Sequence, residues 1–483
     1  MKDRKKFLLT IGIIEGVLLL AIVVLVVLKL TVFSGDGKKG KGGAQDNRNL
    51  NGLEVTMLDW WTEDTWGQEN SEYDKAFFEM LHKAEKEHNF TFRRFSVPDI
   101  GWGNDYQEMV AYSITGNEPT ASIVMLDARW VASFLEKGLL LDVSKVSAVD
   151  FDDDKWNAGV KRMMSIHGGV YGFACGTDYT TCAGVFFNRD IFRMLGVDEN
   201  IPYDLQREGK WNWQEFMNLC KALTKDIDND GVIDIHAVSG DPEVVCNAAL
   251  LSNGTYIFSK DENGLLKLNA NDKKVHESLE FIHSIYEECY FLPMPGMYGD
   301  TDSGWWWDWY RMGFFEGRCA MYMDEEWVIQ YSPMFGIDCG FVSFPYGTSA
   351  EGPVSVCREN VLVIPNCDAV KDIADDILYA YNLATEVPDG YKAEDGNWKL
   401  GCETYFSDER AINETIRSLA FEYPASMAYS SLMPDILIDS TDATRYWAFG
   451  MLQDGIGADE TIEAYMARWQ TEADMFNNQY ISD

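Results

Sequence analysis

An α/β architecture, a sheet covered by helices in a chain long enough for two lobes, follows from three features of the chain. Segments with the two-residue rhythm of strands alternate with segments of helical spacing between residues 53 and 136. The chain has 483 residues, more than one domain usually needs and enough for two lobes. Apolar residues make up 46% of it, sufficient for a packed interior.

Residues 53–61 read as a strand. Residues 73–88 carry an apolar stripe through Ala76, Phe77, Met80, Leu81 and Ala84, the spacing of a helix. Residues 91–97 alternate as a second strand, and 105–114 are helical again through Tyr106, Met109, Val110 and Ser113. Residues 121–126 form a continuous apolar run, a buried third strand, with a helix at about 130–136 after it. The order β-α-β-α-β-α implies a parallel sheet, since parallel neighbours need crossover connections. Ligands of such sheets sit beyond the carboxyl ends of the strands. Trp60, Trp61, Asp64 and Trp66 after the first strand, and Asp127 after the third, are therefore candidate contacts.

Ahead of this body, Lys2, Arg4, Lys5 and Lys6 precede a stretch, 7–28, in which Glu15 is the one charge. Its 22 residues would reach roughly 33 Å as a helix, enough to cross a bilayer. Residues 1–33 are expected to form a single-pass membrane anchor with an extracytoplasmic domain behind it. A cleaved export signal is the alternative. Residues 34–52 (SGDGKKGKGGAQDNRNLNG) have the composition of a flexible tether. The 40 Lys plus Arg against 78 Asp plus Glu give a charge of −38, a field that repels phosphate backbones and argues against nucleic acid as a partner. The ten cysteines show no CxxC pair, so the sequence fixes no disulfide and no zinc site.

Five segments carry a family resemblance. GNEPTASIVMLDARWVASFLEKGLLLDVS from Gly116 has a small residue, Pro, a strand, then a helix closing on Gly-Leu. In GGVYGFACGTDYTTCAGVFFNRDIFRMLGV, from Gly168, the marks are Tyr171, Gly172, Phe187, Asn188, Phe192 and Gly196. KWNWQEFMNLCKAL supplies Trp213, Glu215 and Phe216. FFEGRCAMYMDEEWVI supplies Phe314, Gly317, Ala320, Met321 and Trp327. GFVSFPYG ends a strand in Pro-hydrophobic-Gly. In this order they resemble the extracellular solute-binding proteins (family 1) of carbohydrate ABC importers, the group that includes maltose-binding protein. Ala174 replaces the family's usual proline, and no lipid-bearing cysteine follows the leader.

The resemblance implies a periplasmic-binding-protein-like fold with an interlobe hinge. Residues 53–170 and 312–345 would make one lobe and 171–311 and 346–483 the other, hinged near 171–174, 314–321 and 344–347. It implies a small-molecule carbohydrate ligand, permease subunits as partners and no catalysis. A solute-sensing receptor or an anchored polysaccharide hydrolase are the rival readings. A sugar needs flat rings against its C–H faces and charged or amide groups around its hydroxyls. Besides the residues named above, Asp178 and Tyr179, the string Trp305, Trp306, Trp307 and Asp308, then Asp324, Glu325 and Trp327, and Arg358 are the candidates. For the Trp60–Trp61 pair the alternative is core packing, and one of the two is expected to face inward. For Asp127 it is a helix cap. Of the acids 324–326, at least one is expected on a solvated face.

Asp226, Asp228, Asp230 and Asp234 in DIDNDGVID have the spacing of a calcium loop, with Gly231 at its turn. Ala237 stands where such loops place a bidentate glutamate. A structural calcium is the one cofactor suggested, and a polar helix-to-strand turn is the alternative.

Overall fold

Three parallel-capable strands form where the apolar runs place them: Leu53–Leu58 (β1), Phe90–Phe95 (β2) and Ile123–Asp127 (β3). The helices Glu72–His88 and Asn104–Thr115 connect them. The first of these starts on a reciprocal cap between Ser71 and Asp74 and stops at Asn89, whose φ of 54° ends the helical path. β1 pairs in parallel with β2 and with β3, and every residue of β3 is buried. The computed structural model describes residues 48–62, 66–175, 182–294, 306–357, 360–396, 398–423, 425–427 and 447–479. The apolar stretch 7–28 lies outside them; among the described residues, no helix is long and apolar enough to cross a membrane.

A second sheet contains Cys182–Asn188 (β4), His236–Gly240 (β5), Cys319–Glu325 (β6), Cys339–Ser343 (β7), Ser355–Cys357 (β8) and, after a return, Ala425–Met427 (β10). β4 is its centre, antiparallel to β6 on one edge and to β7 and β8 on the other. All seven of its residues are buried, as a central strand requires. Glycine is needed where β4 meets β7: a Cβ on Gly340 would lie 2.2 Å from the Phe187 ring, so no side chain fits there. Phe186 packs on Phe314, Tyr322, Phe341 and Phe406.

The division of the chain between the sheets differs from the sequence reading. β6 and β7, inside 312–345, pair with the second sheet, whereas Asn360–Val363 (β9) runs antiparallel to β3 in the first. The helix Ala374–Ala384 also belongs with the first sheet, packing on β2 and on the helix Glu72–His88. Segments 314–321 and 344–347, expected as hinges, are therefore internal to the second body. Phe314 sits in its core, and Gly347 donates to the Ser252 carbonyl. The chain passes between sheets after β3, between β8 and β9, and between β9 and β10. The first two passages run side by side, for Phe173 and Leu362 exchange both backbone hydrogen bonds and Cys182 pairs with Cys357. Pairing between remote segments cannot be read from local rhythm, which is why the strands were foreseeable and their sheet was not.

Nine of the ten cysteines have described side chains, none of them in a disulfide, and Cys289 alone among the nine is exposed.

Candidate functional site

The carboxyl edge of the first sheet holds a group of indoles around two buried acids. Asp59 follows β1 directly and is fully buried. It accepts from the backbone N–H of Trp61 (3.0 Å) and of Thr62 (2.8 Å), and pairs with Arg94 at 3.2 Å. That turn sets Trp60 and Trp61 apart. Trp60 packs inward against Tyr106 and Trp130, with ring centroids at 5.4 and 5.5 Å. Trp61 stands edge-on to it at 5.1 Å and points to solvent. The Tyr106 hydroxyl donates to the carbonyls of Leu58 and Met125, tying the ends of β1 and β3 together.

Asp127, at the end of β3, caps the turn Ala128–Trp130 through the Arg129 N–H. The Arg129 guanidinium also grips it in a fork, at 2.9 and 2.7 Å, and the Trp102 indole donates to it at 3.0 Å. Trp102 in turn lies 5.6 Å from Trp130, with the Arg129 cation 5.1 Å from its ring centre. Asp127 thus has the capping role and holds two ligand-sized groups, an indole and a guanidinium, in fixed positions. Sequence reasoning missed Trp102. It lies in the loop after β2, flanked by Gly101 and Gly103, and the strand-end rule applied to the second strand as well as the first and third would have found it.

Trp66 is placed differently. Its ring contacts Phe77, Phe78 and Phe92, at 6.3, 5.4 and 5.5 Å, an aromatic cluster that belongs to the core.

The second sheet has a corresponding group. β5 and β6 run parallel with Gly240 beside Met323, so the next residues, Asp241 and Asp324, emerge as neighbours. Asp241 caps the helix Pro242–Ser252. Asp324 accepts from the Tyr322 hydroxyl and from the Glu325 N–H. Burial, followed by the facing charges of Asp241 and Glu325, pushes Asp324 up to about 7. β6 runs to Glu325, so Asp324 and Glu325 lie within the strand rather than after it. Glu325 accepts from the Trp327 indole, and Glu326 from the Cys182 N–H at 2.7 Å. Glu325 and Glu326 are buried and Asp324 half-buried, so none of the three is the solvated face expected. Trp327 projects outward beside Tyr331, which lies under the Arg311 cation at 4.0 Å.

Trp306, Trp307 and Asp308 begin the helix Trp306–Phe315. Trp309, in the same string, donates to the Pro293 carbonyl and has the Arg318 cation 3.9 Å from its ring centre. Asp64, Asp178, Tyr179, Trp305 and Arg358 lie outside the described residues. Among the tryptophans whose side chains are described, three have exposed rings: Trp61 at 48%, Trp102 at 53% and Trp327 at 43%. All three lie beyond the carboxyl ends of sheet strands. Two open hollows, of about 570 and 400 Å³, are lined by other residues, one along the helix Ala458–Gln479 and one at the turn 165–168.

Of the calcium-loop residues, Asp226, Asp228 and Asp234 bring carboxylate oxygens within 4.8 Å of one another; Asp230 is not part of the group. These three could hold a cation, yet the loop closes on its own. Asp226 accepts from the Asn229 and Gly231 N–H groups, Asp228 from Asp230, Asp230 from Val232 and Asp234 from Ile227.

The family model described as bacterial extracellular solute-binding protein matches residues 69–370. Comparison with curated proteins returns no match. Similar solved structures include a cyclic alpha-maltosyl-1,6-maltose binding protein from Arthrobacter globiformis, with TM-score 0.58 and 16% identity over 88% of this chain and 100% of that one. A maltose-binding periplasmic protein from Listeria monocytogenes, in complex with maltose, aligns at TM-score 0.55 and 14% identity over 89% of this chain and 99% of the other. A cyclo/maltodextrin-binding protein complexed with maltotetraose gives 0.55 and 11%, covering 89% and 97%. At these identities the likeness is one of fold.

Proposed function

The chain belongs to the bacterial extracellular solute-binding proteins, and from that membership we propose that it is the membrane-anchored, extracytoplasmic receptor subunit of an ABC importer. Its ligand is a sugar or oligosaccharide, closed between the two sheet bodies. The observation that carries the reading is the placement of the exposed indoles Trp61, Trp102 and Trp327 at the carboxyl ends of both sheets. An indole left half in water forgoes about 25 cal/mol for each Å² it could bury, and the C–H face of a pyranose is a surface that covers it. The groups beside the rings, Arg129 and Asp127 on one sheet and Asp324, Asp241 and Glu325 on the other, suit hydroxyls. Proteins of similar fold that are named for maltose and maltodextrin support a saccharide as the solute. The ligand favours the closed arrangement because it touches both bodies at once, and the closed form docks on the permease. The 7–28 stretch, with its basic flank, keeps the receptor beside that permease.

The test is a melting-temperature screen of the unit from Asn49 onward against maltose, maltotetraose, cyclic glucans and mannotriose, followed by calorimetry. A bound saccharide at a hundred times its Kd adds about 2.7 kcal/mol of stability and is recovered intact. No shift with any saccharide, or recovery of shortened chains, defeats the proposal.

A further inference from the structure

A second contact bridges the two sheet bodies away from the indoles. The strands Phe258–Lys260 and Leu266–Leu268 form an antiparallel hairpin, its tip closed by Asp261, which accepts from the N–H groups of Asn263 and Leu265. The hairpin belongs to the second body. Asn477 of the terminal helix accepts from the Leu266 N–H at 2.8 Å and donates to the Leu266 carbonyl at 2.9 Å. The turn after the helix Ala158–Met164 is tied to the first, and the helix itself lies at the junction, packing also on β10 of the second. Asp142 accepts from Val170, Tyr171 donates to the Met164 carbonyl, and Phe173 then pairs with Leu362 of β9.

Lys260 joins the two. Its Nζ donates to the carbonyls of Arg162 at 3.2 Å, Ser165 at 2.8 Å and Met163. These carbonyls close the helix Ala158–Met164, where backbone acceptors have no intrahelical donor and the helix dipole favours a cation. Gly264, at φ +78°, lets the hairpin tip rest on the turn: a Cβ there would come within 3.0 Å of the Ser165 carbonyl and 3.3 Å of the His167 N–H. Burial pushes Lys260 down to about 7, while three carbonyl acceptors favour its charged form. His167 and Asp261 face it; burial lowers His167, which Asp261 raises and Lys260 lowers again. Beside the contact lies a hollow of about 400 Å³ lined by Ser165, His167, Gly168, Glu262, Asn263 and Gly264.

A buried ammonium is costly unless its donors are met. This one has its donors met only while the two bodies keep their present angle, since bonds of this length do not survive an ångström-scale shift. We propose that Lys260 is a latch on the hinge: seated on the end of the helix Ala158–Met164, it holds the second body at one angle to the first, and saccharide binding changes the occupancy of that seat from a distance. The inference rests on the closing-receptor reading above.

The test compares the full chain with its Lys260→Met and Gly264→Ala variants. Without saccharide, both variants should speed amide exchange in segments 158–168 and 258–266 by about tenfold and alter the radius of gyration in X-ray scattering. With maltotetraose, both should move Kd in the same direction by about threefold or more. Unchanged exchange, or faster exchange with an unchanged Kd, reduces the contact to static packing and overturns the latch. If the wild-type chain takes up no saccharide, the functional reading fails. The latch is then judged on scattering alone: a radius identical in all three proteins overturns it, and an altered one upholds it.

Discussion

Trp61 and Trp102 are held by what lies behind them. Trp60 and Trp130 support the first pair of edges, and Asp127 fixes the indole N–H of Trp102. Replacing either exposed ring with alanine should weaken saccharide binding by about 1–3 kcal/mol while leaving the melting temperature near its original value. Calorimetry and a melting scan read the two quantities separately. Trp66→Ala should do the reverse, lowering stability by about 3 kcal/mol, because that ring fills a site among Phe77, Phe78 and Phe92. Asp324 makes a prediction about acidity. Its folded pKa of about 7 stands above the ordinary 3.8, so the folded state binds more protons between those values. Stability from this group is present below about pH 4 and is lost as pH rises through 7. Asp324→Asn should flatten that part of the melting profile; an unaltered slope would mean that other groups set it. At this scale the positions of Trp61 and Asp127 were legible because each stands at or just past the end of an apolar strand. Asp59 and Asp241 were not, since a buried acid beside a turn looks like any other polar residue until its partners are known.

The secondary elements followed the sequence closely, and for local reasons. Asn212 illustrates why: it stands before an apolar stripe through Trp213, Phe216, Leu219 and Cys220, and its side chain accepts from the Glu215 N–H at 3.1 Å. Asn212→Ala should cost about 1 kcal/mol in urea unfolding, and a loss below about 0.3 would show that packing alone fixes the helix start. β6 extends to Glu325, with two carboxylates inside the strand. Carboxylates usually mark the end of a strand. Here the Tyr322 hydroxyl, the Trp327 indole and the Cys182 N–H give the acids of 324–326 their bonds, and the ladder with Gly184 and Ala183 takes in Asp324 and Glu325. Burial with partners overrode composition.

For the molecule as a whole, the sequence conveyed two α/β bodies but not which segment joins which. β9 reaches back to β3, and β10 to β8; such choices depend on register between segments distant in the chain. Three passages between the bodies leave a junction that can bend without breaking either sheet. Bound saccharide should therefore reduce the radius of gyration by about 1 Å, as domain closure does, with far-ultraviolet circular dichroism unchanged. A radius that stays constant on saturation excludes closure.

The interleaving of the sheets has a consequence for how the protein comes into being. A chain delivered amino end first through a narrow export pore completes β1, β2 and β3 early, yet β3 keeps an open edge until β9 emerges, and the second sheet waits for β10 near residue 425. The first sheet closes only after most of the second has emerged, and the second closes later still. Threading and folding are thereby kept apart in time, and an unfinished chain offers an exposed strand edge that chaperones at the exit must shield.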